Sequence, residues 1–165
     1  MVNDKSIQDE IVIRPFQLAD QDKVKSLILD GLVEHWGFLD PTKNPDLDDI
    51  ATSYAGAIFL VACQEANIVG TGALVPRSDG VAEIVRMSVA RESRRQGIGR
   101  LVLQELVSCA RVAGFYQVIL ETTATWQNVI EFYRNFGFRI THCQDGNVYF
   151  ALDLTDSVVD ADSRP

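Results

Sequence analysis

The sequence predicts an α/β (α+β) domain built on a central mixed sheet, mostly antiparallel, with helices on both faces. Three observations carry that expectation. The apolar runs Ile58 to Gln64 and Ile68 to Val75 flank Glu65-Ala66-Asn67, which reads as a tight hairpin. Phe138 to His142 and Asn147 to Leu154 flank Gln144-Asp145-Gly146 in the same way. Between these hairpins, a strand at Val81 to Val89 is followed by a long apolar helix and then by a buried-type strand, Phe115 to Thr122. Strands on either side of a helix imply a parallel pair joined by a crossover.

The elements follow in order. Ile11-Val12-Ile13-Arg14-Pro15 is a first strand stopped by proline. Asp20 caps a helix in which Val24, Leu27, Ile28, Leu32 and Trp36 recur at helical spacing. Gly37 to Asp49, with two prolines and Asp40, Asp46, Asp48 and Asp49, is a loop leading into a short helix through Asp48 to Ala55. After the first hairpin, Pro76 to Gly80 forms a second turn. Ile98, Leu101, Val102, Leu106, Val107 and Ala110 make the apolar face of the long helix, which Gly114 ends. Thr125 caps a further helix, Trp126 to Phe136, stopped by Gly137. One domain is expected over residues 1–154. From Thr155 the chain carries four charges in eleven residues and no apolar period, the pattern of a flexible acidic tail.

Composition narrows the function. A length of 165 residues with 47% hydrophobic content suits one globular core. A net charge of −8 argues against nonspecific nucleic-acid binding, which needs a basic surface. The longest unbroken apolar run, Ala57 to Cys63, is too short to cross a bilayer, and Met1 to Glu10 has no apolar signal region. A soluble, cytoplasmic protein without membrane contact is therefore expected. Cys63, Cys109 and Cys143 show no CxxC spacing and are odd in number, so reduced thiols are expected rather than a disulfide framework or a metal site.

Against the acidic whole, four of fifteen basic residues fall between Arg91 and Arg100. Arg94-Arg95-Gln96-Gly97-Ile98-Gly99-Arg100 lies where the Val81 to Val89 strand gives way to the long helix. The glycines let backbone N–H groups approach a ligand, and the helix N-terminus adds unpaired donors and partial positive charge. The stretch reads as a phosphate cradle; read blandly, it is a basic turn. It lacks the Gly-Lys-Ser/Thr of a P-loop and the third glycine of a dinucleotide fingerprint.

Arg94-x-x-Gly97-x-Gly99, preceded by Met87-Ser88-Val89, resembles motif A of the GNAT N-acetyltransferase superfamily, which binds the pyrophosphate of acetyl-CoA. Ala82-Glu83-Ile84-Val85, and Asn128 followed by Phe132-Tyr133 and Gly137-Phe138, fit the same family in the same order. The likeness extends over roughly residues 11 to 154. It implies a GNAT fold whose sheet splays at a β-bulge to admit the pantetheine arm. It implies that the backbone of Met87, Ser88 and Val89 binds pantetheine, and that Arg94, Arg95, Gln96, Gly97, Ile98, Gly99 and Arg100 hold the pyrophosphate. Asn128 matches the asparagine that contacts the CoA arm, and Tyr133 the tyrosine near the CoA sulfur.

Acetyl transfer to nitrogen needs a neutral amine, donors for the carbonyl oxygen and a proton for the departing thiolate. The resemblance offers Glu83 as base, the N–H near Met87 as oxyanion donor, and Tyr133 as acid and CoA contact. Acetyl-CoA would be the acyl donor, with no metal. The expected acceptor is a small-molecule primary amine, since no peptide-reader module is evident. Acetylation of protein lysines or N-termini, and an inactive CoA-binding sensor, stay open. GNAT proteins are often dimers, so a homodimer is admitted, although no isolated apolar stripe demands it.

Each residue also has a plainer reading. Tyr133 shares a helical stripe with Val129 and Phe136, and its plainer reading is a core aromatic alone. Asn128 reads as a first-turn residue with a capping role, and Glu83 as solvated or salt-bridged, with Arg86 a candidate partner. His35 and His142 read as structural. Glu34 and the loop aspartates read as a solvated surface or, given the resemblance, as a border of the acceptor site favouring a cationic amine. Glu121 and Thr122 are candidates to line that pocket.

Overall fold

A computed structural model describes residues 10–40 and 42–155. Its strands are β1 (Ile11–Pro15), β2 (Ile58–Gln64), β3 (Asn67–Ser78), β4 (Val81–Val89), β5 (Gln117–Thr123), β6 (Arg139–Gln144) and β7 (Asn147–Asp153). The helices are α1 (Gln21–Trp36), α2 (Ile50–Ser53), α3 (Ile98–Val112) and α4 (Gln127–Phe136). The seven strands form one sheet in the order β1-β2-β3-β4-β5-β7-β6. β4 and β5 run parallel, Val81 to Glu83 opposite Gln117 to Ile119, while β1/β2, β2/β3, β5/β7 and β6/β7 are antiparallel. The mixed, mostly antiparallel sheet is the one expected.

The chain divides into two compact units. One comprises residues up to Val75 with Val85–Leu106, the other Pro76–Ile84 with residues from Val107 onward. In the first, strand alternation sends Phe59, Val61 and Ala73 to one face, where they pack with Val24 and Ile28 of α1, Leu47 and Ile50. The opposite face carries Leu60, Ala62, Gly70 and Gly72. There α3 comes so close that a Cβ on Gly72 would lie 2.7 Å from Met87 Sδ and 2.8 Å from Val102 and Leu106 side-chain carbons. Helices thus cover both faces of this half of the sheet.

In the second unit, Val118 and Leu120 of β5, Phe150 of β7, and Ile130, Tyr133 and Phe138 are buried. β6, at the end of the strand order, is exposed at all six positions.

Several boundaries differ from expectation for physical reasons. β3 runs through Pro76 to Ser78, and only Asp79-Gly80 turns. Pro76 lies beyond the last β2 pair, Ile58↔Leu74, where its missing N–H costs no ladder bond on that side. Asp20 stands at the start of α1 but does not cap it: its carboxylate accepts from the Gln17 amide (2.8 Å) and from Arg14 (2.7 and 3.0 Å). Thr125 does not cap α4 either. Trp126 takes that position, and its carbonyl accepts from Val129 and Ile130. On α3, Leu101 is 41% exposed and Leu103 is buried in its place. Trp36 is half exposed. None of the three cysteines is in a disulfide. Among the described residues, no helix is long and apolar enough to cross a membrane. The expected tail lies outside the described residues from 156 on.

Candidate functional site

The basic loop sits where β4 ends and α3 begins. Its last apolar residue, Ile98, is buried and anchors the loop, while Arg95, Gln96 and Gly97 are exposed. Arg94 is extended (φ −68°, ψ 158°), whereas Arg95 (φ 65°) and Gly97 (φ 80°) are left-handed. Glycine takes that conformation readily, and open space lies where a Gly97 Cβ would point. The first bond of α3 runs from the Leu101 amide to the Gly97 carbonyl at 3.1 Å, so the amides of Ile98, Gly99 and Arg100 are its first-turn donors. The loop has the backbone and charge of an anion cradle.

Upstream, β4 is irregular. Val85 packs against the α1 cluster, and the Arg86 side chain reaches Asp46 and Asn44 in the turn that follows α1. Met87 points the other way, toward α3. Two successive side chains on one face, with Arg86 at φ 56°, mark a β-bulge. Beyond it come Met87, Ser88 and Val89, all half-buried, and the Ala90 amide donates to the Val69 carbonyl (2.8 Å).

A cleft of about 1180 Å³ opens beside the loop, lined by Leu27, Asp30 and Glu34 of α1 and by Val89, Arg94 and Gln96. Glu34, a predicted substrate contact, accepts from Arg94 Nη1 at 2.7 Å, while Arg94 Nε donates to the Val89 carbonyl (3.2 Å). The Arg94 guanidinium holds the Glu34 carboxyl below the usual carboxylate range. The structure thereby brings Glu34, Val89 and Arg94 together.

In the second unit, Glu83 pairs with Arg77 rather than Arg86. Arg77 Nε and Nη2 both donate to Glu83 Oε1, at 2.8 and 2.6 Å. The longer β3 makes this contact, because Arg77 is a strand residue and not part of a turn. Tyr133 is 6% exposed, with its ring 5.1 to 5.8 Å from those of Phe132, Phe138 and Phe150. Burial pushes its phenol far above the ordinary tyrosine range. Asn128 is an exposed second residue of α4. Thr122 is buried near the end of β5. Glu121 is exposed opposite Tyr149, and hydrogen bonding to Glu121 raises the Tyr149 phenol. His142 stacks on Tyr149 with ring centroids 4.3 Å apart, a structural place as its plainer reading had it.

The acidic loop is not an array of bare charges. Asp40 accepts from Thr42, Asp48 from Lys25, and Asp49 from the Thr52 amide, capping α2. Asp46 accepts from Arg86 (2.6 and 3.0 Å) and from the Tyr54 hydroxyl (2.6 Å). Burial pushes the Asp46 carboxyl up, but the bonds from Arg86 and Tyr54 outweigh it and leave it low. Tyr54 is pushed up to about 12 by burial and by Asp46. Sequence reading passed over this network. Its one signal was an arginine between the apolar residues Val85 and Met87 of a strand.

The acetyltransferase (GNAT) family model matches residues 23–138. An IAA acetyltransferase of Azospirillum brasilense is 36% identical over 120 residues, 72% of this chain and 78% of that protein. N-acetyltransferase 8B of Homo sapiens is 30% identical over 112 residues, 63% of this chain and 49% of the human protein. The chain thus spans about half the length of the human relative. A GNAT-family acetyltransferase structure from Staphylococcus aureus Mu50 superimposes with a TM-score of 0.80 at 22% identity, covering 88% of this chain and 99% of that one. PaiA N-acetyltransferase from Thermoplasma acidophilum, in complex with coenzyme A, gives 0.76 at 18% identity, over 87% of this chain and 99% of that one. The structural likenesses bear on the fold alone. With the family match running from α1 to the threshold of β6, over a sheet of the same architecture, the chain belongs to the GNAT acetyltransferase family.

Proposed function

We propose that the protein is an acetyl-CoA-dependent N-acetyltransferase that passes the acetyl group directly to a primary amine of a small molecule. The observation that carries this reading is the loop before α3, with left-handed turns at Arg95 and Gly97 and open space at Gly97. A pyrophosphate fits such a cradle. Relatives named N-acetyltransferases, and a structural neighbour holding coenzyme A, support the donor.

Acetyl-CoA supplies an activated carbonyl and a thiol leaving group. Residues Arg94 to Arg100 hold the pyrophosphate through first-turn amides and guanidinium groups. The backbone of Met87, Ser88 and Val89 takes the pantetheine, the Met87 N–H donating to the acyl oxygen, and Asn128 contacts the arm. Glu83, oriented by Arg77 on Oε1, accepts the amine's surplus proton directly or through water. Tyr133, protonated because its ring is buried, gives its proton to the departing sulfur. Glu34, Glu121 and Thr122 border the acceptor. Of the loop aspartates, Asp46 and Asp48 are paired with Arg86 and Lys25, while Asp40 and Asp49, among the described residues, accept only from neutral groups and keep their charge toward a cationic acceptor.

The test is CoA release by the purified protein, given acetyl-CoA and a panel of small amines, amino acids and lysine peptides. The expected result is turnover with a class of small amines. Tyr133→Phe should lower kcat by about 100-fold or more while acetyl-CoA still binds. Gly97→Glu, which places a side chain and a negative charge at the cradle, should weaken acetyl-CoA binding at least ~10-fold. Turnover confined to peptides would move the acceptor to protein. Undiminished turnover in Tyr133→Phe would remove Tyr133 as the acid, and unchanged affinity in Gly97→Glu would remove the cradle.

A further inference from the structure

Resting on the donor reading above, we infer that Arg86, Asp46 and Tyr54 form a positioning clamp that fixes the direction of the β4 amides at Met87, Ser88 and Val89. Arg86 holds a left-handed backbone (φ 56°) that L side chains rarely adopt. Such conformations persist only where the surroundings over-determine them. Here the restraints come from both ends of the residue.

The Arg86 carbonyl accepts from the fully buried Thr71 hydroxyl at 2.8 Å. Its guanidinium makes a two-pronged contact with Asp46, Nη2 to Oδ1 at 2.6 Å and Nε to Oδ2 at 3.0 Å, and Nη2 also reaches Asn44 Oδ1 at 3.2 Å. Paired N–H donors on a carboxylate fix orientation as well as distance. The Tyr54 hydroxyl donates at 2.6 Å to Asp46 Oδ2, the oxygen that Arg86 Nε also holds. Arg86 and Asp46 side chains are only 19% and 28% exposed, so the pair is partly withdrawn from water.

A tie that merely fastened the Pro45–Asp48 turn to the sheet would leave the strand backbone regular. This one coincides with the bulge. Val85 and Arg86 share a face because of it, and the alternation from Met87 onward is shifted by one residue. Met87, Ser88 and Val89 therefore owe their direction to a carboxylate forty positions earlier in the chain.

The test compares wild type, Asp46→Asn, Tyr54→Phe and Arg86→Gly as full-length chains, each checked for folding by circular dichroism. Amide resonances and hydrogen exchange at Met87, Ser88 and Val89 are read without ligand; kcat and acetyl-CoA affinity are read alongside. Arg86→Gly is the sharp variant, because glycine accepts the left-handed backbone but carries no clamp. The expected result for Asp46→Asn and Arg86→Gly is shifted resonances and exchange about 10-fold faster at the three amides. With that should come kcat lowered by about 10- to 100-fold and acetyl-CoA affinity changed less than about 3-fold. Tyr54→Phe, the mildest change, should move the same readouts in the same direction. Wild-type exchange and kcat in folded Arg86→Gly would overturn the clamp. So would a loss of activity that only follows loss of folded protein. If wild type transfers no acetyl group, the functional reading fails, while the exchange measurements still decide the clamp.

Discussion

Tyr133 and Arg86 are two residues whose surroundings, more than their chemical type, set what they do. The Tyr133 ring lies among Phe132, Phe138 and Phe150, and this apolar shell disfavours the phenolate. In the proposed role of proton donor it stays loaded at every ordinary working pH. The pH profile of kcat should therefore show no falling limb from Tyr133 below about pH 10, the value at which an exposed tyrosine is half ionised. A limb near neutrality that disappears in Tyr133→Phe would contradict this. Helical spacing with Val129 and Phe136 made Tyr133 legible as a core aromatic, and only the family resemblance offered it as an acid. Arg86 was not legible in that way. Its meaning depends on a backbone angle and on Asp46, neither of which local periodicity reports.

Among the elements, α3 shows both what patterning reveals and what it leaves out. Its existence, start and apolar face could be read from Ile98, Val102, Leu106 and Ala110, but Leu101 was placed inside and Leu103 passed over. An apolar residue at the rim of a wide stripe can lie on either side of the boundary, and only the neighbour decides. The neighbour here is β3, where Gly70 and Gly72 let the helix come down onto backbone. Gly72→Ala should cost about 1–3 kcal/mol through overpacking against Met87, Val102 and Leu106. A lowered denaturation midpoint at unchanged m-value would show it, and an unchanged midpoint would mean the helix can retreat freely. β3 runs on through Pro76, a residue expected in the turn from Pro76 to Gly80. The proline's position past the β2 ladder made it harmless, and the strand carried Arg77 on to Glu83.

For the whole molecule, acid is the informative stress. Hydrogen bonding to Arg14 holds the Asp20 carboxyl below its usual range, and bonding to Gln117 does the same for Asp153. Asp46 is low because Arg86 and Tyr54 outweigh its burial. Each folded-state pKa lies below the unfolded value of about 3.9, so the stabilisation is complete above that value and is lost as pH falls through the folded one. Thermal stability should be flat with respect to these groups at neutral pH and drop below about pH 4. Asp20→Asn should remove about 2 kcal/mol at pH 7 and make the acid slope shallower. A slope identical to wild type would mean the Arg14 pair adds nothing.

At this scale the fold was largely legible, because hairpin signals and a glycine loop between strand and helix are local. The ion pairs were not: Arg86–Asp46 joins positions forty apart, and Arg14–Asp20 and Arg77–Glu83, though six apart, depend on how the chain bends between them. β6 carries a consequence of its own. With all six residues exposed at the end of the strand order, it presents a row of backbone groups on which another chain could template. Arg139 puts a cation on that rim and Thr141, His142 and Gln144 put polar side chains there, which is how an edge strand is kept from pairing with a second copy.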